Sequence, residues 1–527
     1  MGRPLRLLVL VFALAGALGG GPLHAQSAGT LPPLDPVYED LAFLEAHGLA
    51  PRGATSIRPL SYARVGWILR DARAWWMSRS GPPSPAHADV EAVLGRLEGR
   101  FLRGGRGETQ LEFEAGGGRS PGHTVPDNRL ADVDLVVNPM WARRGGRAYA
   151  DRWNAATAAR HSQQIGDRVA IGVAGRASGG DWSGVESRRG GAVLEAAYAR
   201  VGMGRLALQI GRDAWWSGRP GESAPLLGGD TPPVDLIRLS TDRPLGLRLL
   251  GDVEFSLVAA DLGGGQNYPH AKLFGATLST RPVEALEVGL TLVNKQGGEG
   301  APAATLGARL RDLSFLFSTH DPGVPGFSEK LFGMDAHLRI PSTGGGRLYA
   351  ALAVTDFDTG RIRDILETES AITLGVELAR LGASERHGIE FEYEWTGGMM
   401  YRHHQFTSGF AVDGFSQGSG IGPDGRGLTG RYSYRAPAQG WTLFLEGRGE
   451  SRSIDPHDAR PNPRDVFRSG SLPHEERLLG RLGAELRLGE GTRLELSGAL
   501  ERVENFDYQA DDRRTNSGFL VRFWRAF

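Results

Sequence analysis

The sequence predicts an all-β transmembrane barrel preceded by a small N-terminal α-helical bundle. Two observations carry that expectation. From Glu108 to the end, apolar and polar residues alternate with period two, whereas the segment before it repeats at three and four residues. Residues 1–25 read as a cleavable secretory signal, and no later segment is apolar for the ~20 residues that a membrane helix needs. A secreted chain of alternating strands can span a bilayer only as a closed barrel, because lipid leaves no partner for an open strand edge.

The signal has Arg3 and Arg6 as its positive end, Leu7 to Leu18 as its apolar run, and small residues from Gly19 to Ala25. Residues 26–105 form the helical segment. Asp35-Pro36 starts a first helix with Val37, Leu41 and Leu44 on one face and Gly48 as its stop. Ser61 caps a second, with Val65, Ile68, Leu69, Ala72 and Trp75 aligned. Ser84-Pro85 starts a third, with Val90, Val93, Leu94, Leu97 and Phe101 aligned. Such stripes bury against each other or against a larger body.

Residues 106–527 form the barrel. About twenty candidate strands can be drawn, and those between Asp127 and Gly166 break the even number of a bacterial barrel, so at least one of them is not a wall strand. The clearest hairpin is Arg477 to Leu500. Leu482, Leu486, Leu488, Leu494, Leu496 and Leu500 lie on its lipid-facing side, with Glu485, Arg487, Arg493 and Glu495 on the lumen side. Gly489-Glu490-Gly491 forms its turn. On another strand Glu390, Glu392 and Glu394 share a face. Three carboxylates in a row require a wet lumen with cations such as Arg448, Arg487 and Arg493 nearby. Short and long connections alternate, the long ones including Ser408–Arg426 and Ser451–His474. The last strand, Thr515 to Phe527, carries Phe519, Val521, Phe523 and Phe527 on one face. It resembles the aromatic-ended terminal strand of bacterial outer-membrane barrels.

Composition narrows the function. The net charge of -1 gives no basic surface for nucleic acid. The 77 glycines suit many turns, and Gly116–Gly118, Gly263–Gly265 and Gly344–Gly346 read as such. The absence of Cys excludes disulfides, thiolate metal sites and a lipoprotein anchor. No nucleophile elbow, zinc helix or phosphate loop appears. His403-His404 sit side by side on an expected strand with diverging rings, so neither a metal nor another cofactor is expected. The most informative irregular stretch is Gly211 to Pro244, whose Trp-Gly-Pro-rich centre is expected on the external side. There Trp215 and Trp216 can stack on sugar rings, with Arg212, Asp213 and Arg219 supplying hydrogen bonds. The same tryptophans suit an aromatic girdle or a loop pinned inside the barrel somewhat better than direct ligand contact.

The segments DPVYEDLAFLEAHGL and IRPLSYARVGWIL, followed later by QIGRDAWWSGRPGESAPLLGGDTPPVDLIRLS, resemble in type and order those of the capsule assembly protein Wzi family. The resemblance implies an eighteen-stranded outer-membrane barrel with a periplasmic helical bundle. It also implies a lectin-like, non-catalytic role in tethering capsular polysaccharide. The expected partners are then outer-membrane lipid, surface polysaccharide held by loops such as Ala214–Pro233 and Ser451–His474, and export machinery at the helical end. A substrate-selective porin and, further off, an outer-membrane hydrolase are the rival readings.

Overall fold

The computed structural model describes residues 29–50, 56–78, 85–119, 123–125, 135–137, 139–141, 144–147, 149, 151–181, 191–219, 221–313, 327–340, 342–355, 362–403, 405–453, 457–458, 467–468 and 473–527. The secretory signal and most of Ser451–His474 lie outside the described residues, as does Ser84. Period two becomes a closed antiparallel wall of eighteen strands, each paired with its chain neighbours. The first strand, Gly107–Arg119, pairs on one side with Asp151–Ile165 and on the other with the last, Arg513–Ala526. Val234–Thr241 and Leu245–Leu247 are two pieces of one strand, since both pair with Gly251–Asp261. Pro244, which has no N–H to donate, falls in the break. The strand count between Asp127 and Gly166 resolves simply. Among the described residues only Asp151–Ile165 joins the wall there, while His123–Val125 and Leu135–Val137 pair with each other.

Outward rows are apolar. On the Arg477–Leu500 hairpin, Leu478, Leu482 and Leu500 are 63–66% exposed and face outward, as lipid contact requires. Gly489 and Gly491 take positive φ in its turn, which only Gly adopts without strain. Connections at one end are tight, as between Met203 and Leu206. At the other end they are long, as from Gln296 to Ser328.

Three helices gather at the short-turn end: α1 (Val37–Ala46), α2 (Tyr62–Ser78) and α3 (His87–Phe101). Asp35 Oδ1 accepts from Val37 N at 3.0 Å and Ser61 Oγ from Arg64 N at 3.1 Å, so both predicted caps form. The third helix begins at His87 rather than at Pro85, with Ala86 at its cap position and no side-chain cap bond. Val37, Leu41, Leu44, Val65, Ile68, Leu69, Val90, Val93, Leu94 and Leu97 merge into one core. Two other local readings are corrected. Gly116–Gly118 lie inside the first strand rather than in a turn. A Cβ on Gly117 would come 3.0 Å from the Phe519 ring and 2.8 Å from a backbone oxygen, so glycine there admits a neighbouring strand. His403 sits in an irregular buried segment, not on a strand, and His404 is outside the described residues.

Candidate functional site

The lumen is filled from both ends. At the short-turn end α1 enters it, held by charges. Asp40 receives Arg487 Nη1 at 3.1 Å and Arg96 Nη2 at 3.1 Å, with Arg493 at 3.6 Å. Burial alone would raise the Asp40 carboxyl, but these three guanidinium groups hold it well below the usual carboxylate range. Glu45 is depressed in the same way, burial being outweighed by Arg219 and Arg339.

At the long-connection end two chain segments turn inward instead of standing off the rim. Residues 214–233 and 397–424 pair with each other through a bridge between Leu226 and Gly418, and Tyr401 Oη donates to the Pro225 carbonyl at 2.6 Å. Trp215, Leu226, Leu227, Met400, Tyr401, Phe410 and Val412 bury against wall residues such as Leu273, Val293 and Leu331, giving an apolar plug. The expectation that Ala214–Pro233 is an external loop is therefore corrected, and the long connection Ser408–Arg426 likewise folds inward. Their apolar side chains gain more from burial against the wall than from water.

The wall supplies polar anchors to this plug. Glu392 accepts from Ser223 N and Oγ at 2.9 and 2.8 Å and from Tyr349 Oη at 2.9 Å. Glu394 accepts from Ser419 Oγ at 2.9 Å and pairs with Arg448 at 3.3 Å, while Glu390 lies 3.1 Å from the same Tyr349 hydroxyl, whose one hydrogen the two glutamates share. Lys295, fully buried, donates to Gly409 O at 2.6 Å and Ser408 Oγ at 3.0 Å and lies 3.9 Å from Glu329. Of the glutamates that required a wet lumen, Glu392 and Glu394 are thus satisfied in part by donors on the plug, whereas Glu390 meets Tyr349 on the wall. Glu485 pairs with Arg493 at 3.1 Å, Glu495 with Arg144 at 2.8 Å, and Arg487 with Asp40 on α1. Between helix and plug remains a cavity of about 210 Å³ whose lining includes Glu39, Arg58, Arg431, Phe444 and Arg481.

The residues nominated for sugar contact divide. Trp215 and Trp216 are 2% and 3% exposed, so their rings are packing elements, not an open stacking platform. Trp215 lies against Gly275, where a Cβ would come 2.2 Å from its ring. Trp216 Nε1 donates to the Thr231 carbonyl at 2.8 Å, and the Arg58 guanidinium sits 5.4 Å from its ring centre. Asp213 accepts from Thr30 Oγ1 at 3.0 Å and Gln209 Nε2 at 2.8 Å. Arg219 spans Glu287, at 2.6 Å, and Glu45 on α1, tying plug, wall and helix together. Of the five, only Arg212 retains an exposed polar edge, in a bidentate pair with Asp235 at 2.7 and 2.9 Å on the outer side of the rim. Sequence reading missed Ser223, Tyr401 and Ser419 as anchors. The signal available was the apolar content of 396–424, with Met399, Met400, Phe406, Phe410 and Phe415, which a solvated loop does not need.

A closed barrel with inward-folded loops and a helical stopper is the geometry against which known proteins can be compared. The family model described as capsule assembly protein Wzi matches residues 135–517. The chain belongs to the capsule assembly protein Wzi family. No curated protein matches it. Among solved structures, Wzi of Escherichia coli is similar at a TM-score of 0.66 and 17% identity, over 94% of this chain and 99% of that one. That protein is described as an outer-membrane protein involved in group 1 capsule assembly and a carbohydrate-binding β-barrel. OprD of Pseudomonas aeruginosa is similar at a TM-score of 0.44 and 11% identity, over 80% of this chain and 95% of that one. As a member of the Wzi family, the chain is an outer-membrane barrel, and the eighteen strands and helical segment that the resemblance implied are both present.

Proposed function

We propose that this barrel holds exported surface polysaccharide at the outer face of the outer membrane, binding the glycan without cleaving or conducting it. The observation that carries the reading is the filled lumen. A pore needs a continuous water path, whereas here Trp215, Leu226, Tyr401 and Phe410 form an apolar block across the barrel. Loops folded into a block present a fixed platform at the rim, and a fixed platform lowers the ordering cost of gripping a flexible chain. Membership of the Wzi family and the carbohydrate binding of the Escherichia coli relative support the same reading.

The long connections face outward and the short turns face the periplasm, following the general plan of bacterial barrels. On that orientation α2 and α3 lie on the periplasmic side after removal of residues 1–25, with α1 as the stopper in the lumen, and the segment closes the barrel and meets the export machinery. Glycan contact falls to exposed groups at the rim, such as Arg212 and Asp235, while Trp215, Trp216, Asp213 and Arg219 keep the platform rigid. Two measurements test the proposal. Cells lacking the protein are expected to shed polysaccharide into the medium, and a normal cell-bound layer would refute tethering. Purified protein in planar bilayers is expected to show no steady open channel. Sustained conductance would favour a porin, and turnover of purified glycan, lost with a single carboxylate change, would favour a hydrolase.

A further inference from the structure

We infer that the short helix Leu306–Asp312 is an interfacial anchor that docks on an anionic phospholipid in the leaflet at the long-connection end. The helix lies on the outside of the wall, which one hydrogen-bonded row establishes. On Leu286–Gln296 the residues Glu287, Thr291, Val293 and Lys295 face the lumen, so Asn294 faces outward. On Ser328–Ile340 the lumen side carries Glu329 and Leu331, so Lys330, the cross-strand partner of Asn294, also faces outward. Both bind the last residue of the helix. Asn294 Nδ2 donates to Asp312 Oδ2 at 2.6 Å, and Lys330 Nζ reaches Asp312 Oδ1 at 2.5 Å. Asn294 is outward yet fully covered, because the helix is folded down upon it.

Depth follows from register. Phe274 pairs with Asn294, so the row beneath the helix carries an outward aromatic. The next outward pair, Leu292 and Phe332, lies about 7 Å below at two residues per step. The helix therefore sits where the apolar band of the barrel meets the headgroups, continuous with a surface that already contacts lipid. At about 100° per residue, Leu306 and Leu310 form one stripe pointing away from Asp312, with Arg309 and Arg311 to either side. The leucines are 72% and 60% exposed among the described residues. Thr305 Oγ1 accepts from Ala308 N at 3.1 Å, which caps the helix in place. A leucine stripe flanked by arginines fits acyl chain below and anionic headgroup beside it.

The chain has no cysteine, so Leu310→Cys offers a single labelling site on the full-length protein. The test reconstitutes it with an environment-sensitive fluorophore into phosphatidylcholine vesicles containing phosphatidylglycerol, after heat-modifiable electrophoretic mobility has confirmed a folded barrel. The expected label is quenched by nitroxide-bearing lipid and not by aqueous iodide. Nitroxide-labelled phosphatidylglycerol should quench more than nitroxide-labelled phosphatidylcholine. Arg309→Gln and Arg311→Gln should each reduce that preference about fivefold, the effect of one basic group near an anionic surface. A label quenched by iodide alone overturns the anchor. A lipid-embedded label indifferent to headgroup charge overturns the role of the arginines.

Discussion

Trp215→Ala distinguishes a packing tryptophan from a sugar-stacking one. The ring is 2% exposed and sits within the apolar plug, so its removal should cost about 3–5 kcal/mol, the range for deleting a large buried aromatic side chain. Gly275 gives an internal control. A Cβ there would come 2.2 Å from the Trp215 ring and 2.8 Å from the Leu292 carbonyl, so Gly275→Ala alone should cost about 1–3 kcal/mol by overpacking. In the Trp215→Ala background the ring is gone and only the carbonyl contact persists. The double variant should then be more stable than the sum of the single losses by about 1 kcal/mol or more. Guanidinium unfolding in detergent micelles, extrapolated to water, measures each corner of the cycle. Losses that add to within about 0.5 kcal/mol would refute the packing argument, as would a Trp215→Ala protein of unchanged stability.

Asp40→Asn breaks a buried ionic cluster and should cost about 3–5 kcal/mol, read as faster proteolysis of the α1–α3 segment in an otherwise folded barrel. The folded Asp40 carboxyl is depressed, so its stabilisation is complete above the unfolded value near ~3.9 and is lost as pH falls below it. Helix release in the wild type should accordingly rise from about pH 4 downward and stay flat from pH 5 to 8, and release on the alkaline side would contradict the assignment. Lys295→Met removes the donor to Ser408 and Gly409, which should expose residues 405–411 to protease added at the long-connection face; unchanged protection would mean the apolar contacts suffice. Leu482→Arg places a charge on the lipid face of a central strand position and should cost about 2–4 kcal/mol, seen as a lower folded fraction by heat-modifiable mobility.

The wall and the helices were legible because each is governed by near neighbours. Alternation placed Leu482 outward and Glu485 inward, and helical spacing placed Val65, Ile68 and Leu69 on one stripe. The inward turn of the loops was not legible, because the contacts that cause it are remote. Tyr401 meets Pro225 across 176 residues, and Glu392 meets Ser223 across 169. No local period encodes such a pairing. Gly116–Gly118 misled for a related reason. Three glycines in a row look like a turn, yet here Gly117 makes room for the Phe519 ring, and Gly116 and Gly118 for the backbone, of the partner strand. Trp215 and Trp216 showed the same ambiguity, since a ring suited to a sugar is equally suited to a glycine-lined wall.

The seam between Gly107–Arg119 and Arg513–Ala526 constrains the order of biogenesis. Ten residue pairs, from Gln110 with Ala526 to Arg119 with Ser517, join the first strand to the last. The cylinder therefore cannot shut until Arg513–Ala526 has found the first strand. The helical segment is synthesised before any strand, yet α1 finishes inside the lumen, clasped by Arg487 and Arg493 from the penultimate hairpin. The stopper must accordingly be carried without those two partners, held by its own helical segment, and be enclosed as the last strands zip. Two of its guanidinium partners, Arg487 and Arg493, lie on the penultimate hairpin, so full clasping of the stopper coincides with closure of the wall.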